Sequence, residues 1–147
     1  MKTYDPRMHT AEHILNGTMV KMFNKGRAFS SHVEKKKSKC DYKNFTRNLT
    51  EDEIAEIERR VNEVIKQNLD VSESFIPFEE AKEKFNLSRL PEGEYDEIRI
   101  IKVGNYDACP CIGSHVKNTS EIGEFKITSA NFNNGILRVR FKLRAND

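Results

Sequence analysis

Two pairs of residues in this chain have the types and spacing of metal donors. His9 and His13 lie four apart in His9-Thr10-Ala11-Glu12-His13, and Cys111 and His115 lie four apart in Cys111-Ile112-Gly113-Ser114-His115. Three imidazoles and one thiolate are borderline-soft donors, the set that Zn2+ takes in a tetrahedral cluster. On a helix the i,i+4 spacing turns both rings of the first pair to one side, within reach of a single ion. The second pair falls in a Gly-containing turn. If the fold joins the two pairs, the result is a zinc site. Three protein ligands would leave a position for water or substrate and four would close it, and the spacing leaves both open. Cys109 is a rival thiolate, but Pro110 stands between it and Cys111 and opposes both reaching one ion. Cys109 therefore reads as a small buried residue.

Two other zinc patterns share these residues. His-x-x-Glu-His is the inverted zinc-peptidase pattern, with Glu12 as general base. It needs a third ligand from Glu79, Glu80 or Glu83, leaves Cys111 and His115 unexplained, and sits in a chain small for a peptidase. The base-deaminase signature needs Pro-Cys-x-x-Cys, whereas Pro110-Cys111 is followed by His115.

The elements that must position these residues are legible in outline. His9 to Phe23 reads as a helix, with Ala11, Leu15, Met19 and Met22 in one apolar stripe and His9, His13, Gly17 and Val20 on another face. Gly17 is costly in a helix interior, which suggests a close approach there by another backbone or a ligand. Arg27 to Glu34 and Ser38 to Phe45 read as strands around the basic turn Lys35-Lys36-Lys37. Thr50 and Glu53 form a capping-box signature, followed by Ile54, Ile57, Val61, Val64 and Ile65 at helical spacing. A strand from Val71 to Ile76, a short helix from Phe78 to Phe85 and a loop with Pro91, Glu92 and Gly93 come next. Strands follow at Glu97 to Val103, Glu124 to Ser129 and Gly135 to Leu143, the last with Leu137, Val139, Phe141 and Leu143 alternating with basic residues. The expected class is α+β, an antiparallel sheet packed with helices.

Composition bounds the function. The 147 residues are expected to form a single domain, residues 1–147. With 33% charged residues and a net charge of +2, the chain does not read as a general nucleic-acid coat, and no DNA contact is expected. No apolar run is long enough for a membrane span, and the polar N-terminus shows no secretory signal. Three cysteines, two of them one residue apart, do not form a disulfide framework; the expected location is the cytoplasm.

Read together, the two motifs resemble those of the alanyl-tRNA synthetase editing domain and its free-standing AlaX relatives, and the resemblance runs over nearly the whole chain. His9 to His13 matches the family's His-x-x-x-His. Ser31-His32-Val33 through Ser38 resembles its His-Val-x-Gln-Lys-Gly-Ser turn. Leu49 to Leu69 is similar to its long Glu-rich helix. Cys111-Ile112-Gly113-Ser114-His115-Val116 and the run Asn118 to Ile127 are similar to Cys-Gly-Gly-Thr-His-Val and the Thr-Gly-x-Ile-Gly-x-Phe-Lys-Ile stretch behind it. This last stretch favours the alanyl over the related threonyl editing domain.

The resemblance implies the fold of the threonyl/alanyl-tRNA synthetase second additional domain. It implies a zinc-dependent deacylase that hydrolyses the ester of a wrong amino acid, serine or glycine, on tRNA(Ala), with the charged acceptor end as partner. Alanine, glycine and serine differ by one small group, which binding alone separates poorly, so a second hydrolytic site is useful. By residue match, His9, His13, Cys111 and His115 hold zinc, and His32, Lys35, Ser38 and Gly113 lie at the substrate pocket. Glu12 stands where relatives often carry Thr, Lys35 where a Gln is usual, Lys37 in place of a Gly, and Ile112 in place of the first Gly. Glu12 is the candidate proton relay, and Glu12 and Lys35 are expected to face each other as an acid–base pair. In a tRNA-binding reading, Lys35 to Lys37 with Lys39, and Arg138 to Arg144, are the candidate phosphate contacts. The alternative is a non-catalytic, zinc-stabilised tRNA-binding domain, and the weaker one is the small peptidase.

Overall fold

A computed structural model describes residues 5–144. Helix α1 spans Pro6–Phe23 and begins earlier than the apolar pattern alone indicates. Asp5 caps it, its carboxylate accepting from the amides of Arg7 and Met8, and Pro6 occupies the first turn, where its missing N–H costs nothing. Strands β1 (Ser30–Val33) and β2 (Ser38–Tyr42) are shorter than their β-propensity suggests. Helix α2 (Glu51–Lys66) has the full capping box: Thr50 Oγ1 accepts from Glu53 N, and the Glu53 carboxylate accepts from Thr50 N. There follow β3 (Val71–Pro77), α3 (Phe78–Lys84), β4 (Glu97–Val103), β5 (Asp107–Pro110), a 3-10 turn (Thr119–Glu121), β6 (Glu124–Asn133) and β7 (Ile136–Arg144).

The strands form two antiparallel sheets rather than one: a four-stranded sheet in the order β1-β2-β7-β6 and a three-stranded sheet in the order β3-β4-β5. Asn134 and Gly135, both with positive φ, close the β6–β7 hairpin, a turn that few other residue pairs tolerate. The alternation read along β7 holds, with Leu137, Val139 and Phe141 buried and the residues between them more exposed.

The main core lies between the inner face of the four-stranded sheet and the helices. Ile57, Val61, Val64 and Ile65 of α2 share this core with Phe125, Ile127, Val139 and Phe141, and Ala11, Leu15 and Met19 of α1 join it. Polar side chains of α2 fix β6 as well. Asn62 exchanges two hydrogen bonds with the Phe125 backbone, and Glu58 accepts from Ile127 N. Every residue of α1 from Met8 to Met19 is buried, so this helix is enclosed on all sides. One side packs the core, and the other, with His9 and His13, packs against β5 and the turn that follows it. No helix among the described residues is long and apolar enough to cross a membrane.

Candidate metal centre and adjoining cavity

The fold brings both donor pairs together. One nitrogen from each of His9, His13 and His115 and the Cys111 sulfur all lie within 4.8 Å of one another. His9 Nε2 is 3.3 Å from Cys111 Sγ, and the His9 and His115 rings stack at 4.4 Å. Both ring nitrogens of His115, and Nδ1 of His13, are buried without a hydrogen-bond partner. Buried imidazole nitrogens left unpaired are costly. A divalent cation at the centre of the cluster would take one nitrogen of each ring, including one of the unpaired nitrogens of His115, so the donor set fits a metal ion.

The surroundings hold the donors in place. His9 Nδ1 lies 3.3 Å from the Ser114 carbonyl; donation there turns Nε2 toward the cluster. Asp107 Oδ2 lies 3.7 Å from His13 Nδ1, and Arg27 forks the same carboxylate at 2.6 and 3.1 Å. Gly17 makes room for this carboxylate: a Cβ there would lie 3.1 Å from Asp107 Oδ1. The close approach expected at Gly17 is thus a side chain from β5. Arg99 pins the turn of the second pair, its Nη1 donating to the carbonyls of Cys111 and Gly113 at 3.1 and 2.8 Å. Gly113 itself has no alternative, because a Cβ there would fall 2.1 Å from His9 Cε1.

The clustered donors shift one another's protonation. Burial pushes the Cys111 thiol up, but the imidazoles of His115, His13 and His9 gathered around it outweigh that and hold the group at about 3. Burial opposes charge on His13, yet the Asp107 carboxylate, then Cys111 and Glu12, raise it to about 9. His115 is lowered, chiefly by burial, which keeps its ring neutral and its lone pair available. Cys109 differs from Cys111: it faces the adjoining cavity, stands outside the donor group, and is pushed up to about 11 by burial.

A cavity of about 540 Å³ opens beside the donors, lined by His9, Glu12, His13, Cys111 and Gly113, with Arg27, Arg89, Lys25 and Lys43 among its other residues. Gly113 lies on the wall of this cavity. Glu12 does too, on the turn of α1 between the two histidines, its side chain 5% exposed. Its partners are other than expected: Oε1 lies 3.7 Å from His9 Nε2, and Oε2 lies 3.8 Å from Arg89 Nη2. Lys35 is exposed on the β1–β2 turn and does not line the cavity. The acid–base pair is thus formed with Arg89, which the loop between α3 and β4 brings across, its Nη1 donating to the Ala28 carbonyl at 3.2 Å.

His32 and Ser38 also stand apart from the cavity. The strand period decides the first: Ser31 and Val33 face the cavity, so His32 between them faces outward, where it pairs with Glu34 at 2.7 Å. Its strand neighbour there is Lys39, which in turn pairs with Arg140. Ser38 is buried and ties the turn, its hydroxyl accepting from Glu34 N and donating to Glu34 O. Glu79, Glu80 and Glu83, the extra ligands that a peptidase would need, lie on α3 outside the donor group, with Glu79 and Glu80 paired to Lys82 and Lys84.

Sequence comparison agrees with this picture. Residues 98–140 match the threonyl and alanyl tRNA synthetase second additional domain. The chain is 38% identical over 124 residues to an alanine–tRNA ligase of Fervidobacterium nodosum, covering 84% of this chain and 14% of that protein. It is 35% identical over 140 residues to that of Staphylothermus marinus, covering 92% and 15%, and 36% identical over 122 residues to that of Bacillus subtilis, covering 82% and 14%. The chain spans about one seventh of the length of these ligases. With its α+β fold, the chain is similar to the threonyl and alanyl tRNA synthetase second additional domain over residues 98–140 and to part of alanine–tRNA ligases over most of its own length.

Proposed function

We propose that this chain, taken as one domain over residues 1–147, is a zinc-dependent aminoacyl-tRNA deacylase. It hydrolyses the ester of mischarged tRNA(Ala), with serine as the wrong amino acid and glycine as a poorer one. The observation that carries the proposal is the convergence of His9, His13, Cys111 and His115 beside a cavity containing a buried carboxylate. Those four residues would hold the zinc. Bound there, zinc supplies Lewis-acid chemistry, polarising an ester carbonyl or a water molecule.

The rest belongs to the chain's own groups. Glu12 Oε1, on the side of the His9 ring, accepts the proton of the attacking water and returns it to the leaving ribose oxygen. The enclosed side of the cavity receives the aminoacyl group. The cations Arg27, Lys25 and Lys43 complement the phosphates of the acceptor end. The outward face of the four-stranded sheet, where His32, Lys39 and Arg140 lie side by side, extends that positive surface to the tRNA backbone. Such a partner places the protein in the cytoplasm, in keeping with its three unpaired cysteines.

Deacylation of Ser-, Gly- and Ala-tRNA(Ala) by purified protein tests the reading. Serine should be released fastest and alanine should stay attached. His9→Ala combined with His13→Ala should abolish release. Tight tRNA binding with no cleavage of any ester would identify a non-catalytic zinc-stabilised domain instead.

A further inference from the structure

The two most exposed large hydrophobic side chains among the described residues are Ile112, 62% exposed, and Phe75, 57% exposed. Single apolar residues at a surface need no account, but these two line one groove, of about 370 Å³. Strand geometry puts Phe75 there. Along β3 and β4, Ile76 and Ile98 join the small apolar cluster around Ala81 of α3. Phe75 and its cross-strand partner Arg99 alternate with them and take the other face, with Phe75 on the edge strand of the three-stranded sheet. Ile112 belongs to the turn between Cys111 and His115. The groove adjoins the donor cavity, and Leu90, Ile112 and Gly113 line both.

Charge decides what kind of group fits. The donor cavity carries Arg27, Lys25 and Lys43. In the groove, the only cation among the described lining residues is Arg99, and it is committed. Its Nε pairs with Glu73, and its Nη1 donates to the carbonyls of Cys111 and Gly113. The other charge is the Glu97 carboxylate. A phosphate would be repelled by Glu97, and an aliphatic side chain of a protein partner would desolvate that carboxylate without supplying a donor. A flat, neutral ring with N–H groups suits all of them: its face stacks on Phe75 and packs against Ile112, and its edge donates to Glu97. That is the chemistry of a nucleobase with an exocyclic amino group. Resting on the deacylase reading above, we propose that the groove is a stacking subsite for the unpaired base next to the last one of the acceptor end. The terminal nucleoside, with its ester at the donors, takes the cavity, and the base one step back crosses the Ile112–Gly113 wall onto Phe75. Arg99 links the two sites, because it lines the groove and holds the turn that carries Cys111.

The test uses amide analogues that cannot be cleaved: 3′-serylamino-adenosine, and the same nucleoside with a cytidine joined through its 5′-phosphate. Their binding to zinc-loaded protein is measured by calorimetry, beside hydrolysis of Ser-tRNA(Ala). The added cytidine should tighten binding by about tenfold or more, the worth of one stacked base. A dinucleotide with an abasic ribose in place of the cytidine should lose that gain. Phe75→Thr should lose it too, while Phe75→Tyr, which keeps the ring, should retain it. The single nucleoside, too short for the groove, should bind the three proteins alike. Because Phe75 is exposed on an edge strand, and Thr and Tyr both suit strands, neither variant threatens the fold. No gain from the cytidine, an equal gain from the abasic dinucleotide, binding of neither analogue, or an equal loss for both in Phe75→Thr overturns the inference. Self-association of the chain that Phe75→Thr abolishes would give the groove to a second copy and also overturn it. Hydrolysis of Ser-tRNA(Ala) without any cytidine gain removes the subsite and leaves the deacylase reading intact. A gain that depends on Phe75, with no ester cleaved, has the opposite meaning: the subsite stands and the deacylase reading fails.

Discussion

Asp107 shows how a residue that touches no substrate can govern the site. Its carboxylate stands beside the His13 ring, is forked by Arg27, and packs against Gly17 of α1, where a Cβ would crowd it. Carboxylate partners of ligating histidines orient the ring and raise its basicity, and their loss costs about 10–100-fold in metal affinity. Asp107→Asn keeps the shape and removes the charge, so zinc affinity measured by chelator competition should fall in that range. An unchanged affinity would mean that Asp107 serves Arg27 alone.

Cys111 offers a second readout at the same scale. Its folded-state value is depressed to about 3, so in metal-free protein it is a thiolate across the mildly acidic range, where an ordinary thiol is protonated. Cys109 and Cys40 are shifted upward by burial. At about pH 6, iodoacetamide should therefore modify Cys111 first in metal-free protein, and added zinc should protect it. Uniform labelling of the three cysteines, read by mass spectrometry, would contradict the thiolate.

At the scale of elements, α2 is the helix most completely determined by local sequence. Its reciprocal Thr50–Glu53 cap is present in full, and its apolar face is buried against β6 and β7. Thr50→Ala removes one bond of the cap and should destabilise the protein by about 1 kcal/mol, seen as a lower midpoint in urea with an unchanged slope. No change would show that tertiary packing alone fixes the start of α2.

The same local signals explain what was legible. Periodicity and capping mark α1, α2, β4 and β7, and Asn134-Gly135 marks the last hairpin. Asp5-Pro6 is a cap-and-first-turn signal that a reading begun at His9 passes over. Strand β5 has only four residues and ends in proline, too short for alternation to register, yet it carries Asp107. The resemblance puts His32 at the pocket, but strand parity turns it outward. The acid–base pair at Glu12 has Arg89 and not Lys35 because the path of an irregular loop between α3 and β4 decides it, and periodicity does not describe such a path. The metal donors were legible because their side-chain chemistry limits what they can do, whatever path the chain takes between them.

At the scale of the molecule, two sheets and an enclosed helix serve one junction. Helix α1 carries two imidazoles and the carboxylate between them, and the three-stranded sheet ends in the turn that carries the thiolate and the third imidazole. Neither half holds a complete donor set, so a metal bound there ties α1 to the three-stranded sheet and contributes to stability as well as to chemistry. In the proposed function these four side chains bind zinc, and ester cleavage depends on it. The most direct measurement is the rate of serine release from Ser-tRNA(Ala) as zinc is returned to chelator-stripped protein. The rate should rise from near zero and level off at one zinc per chain. Full activity in the stripped protein, or no release at any zinc level, would contradict the account.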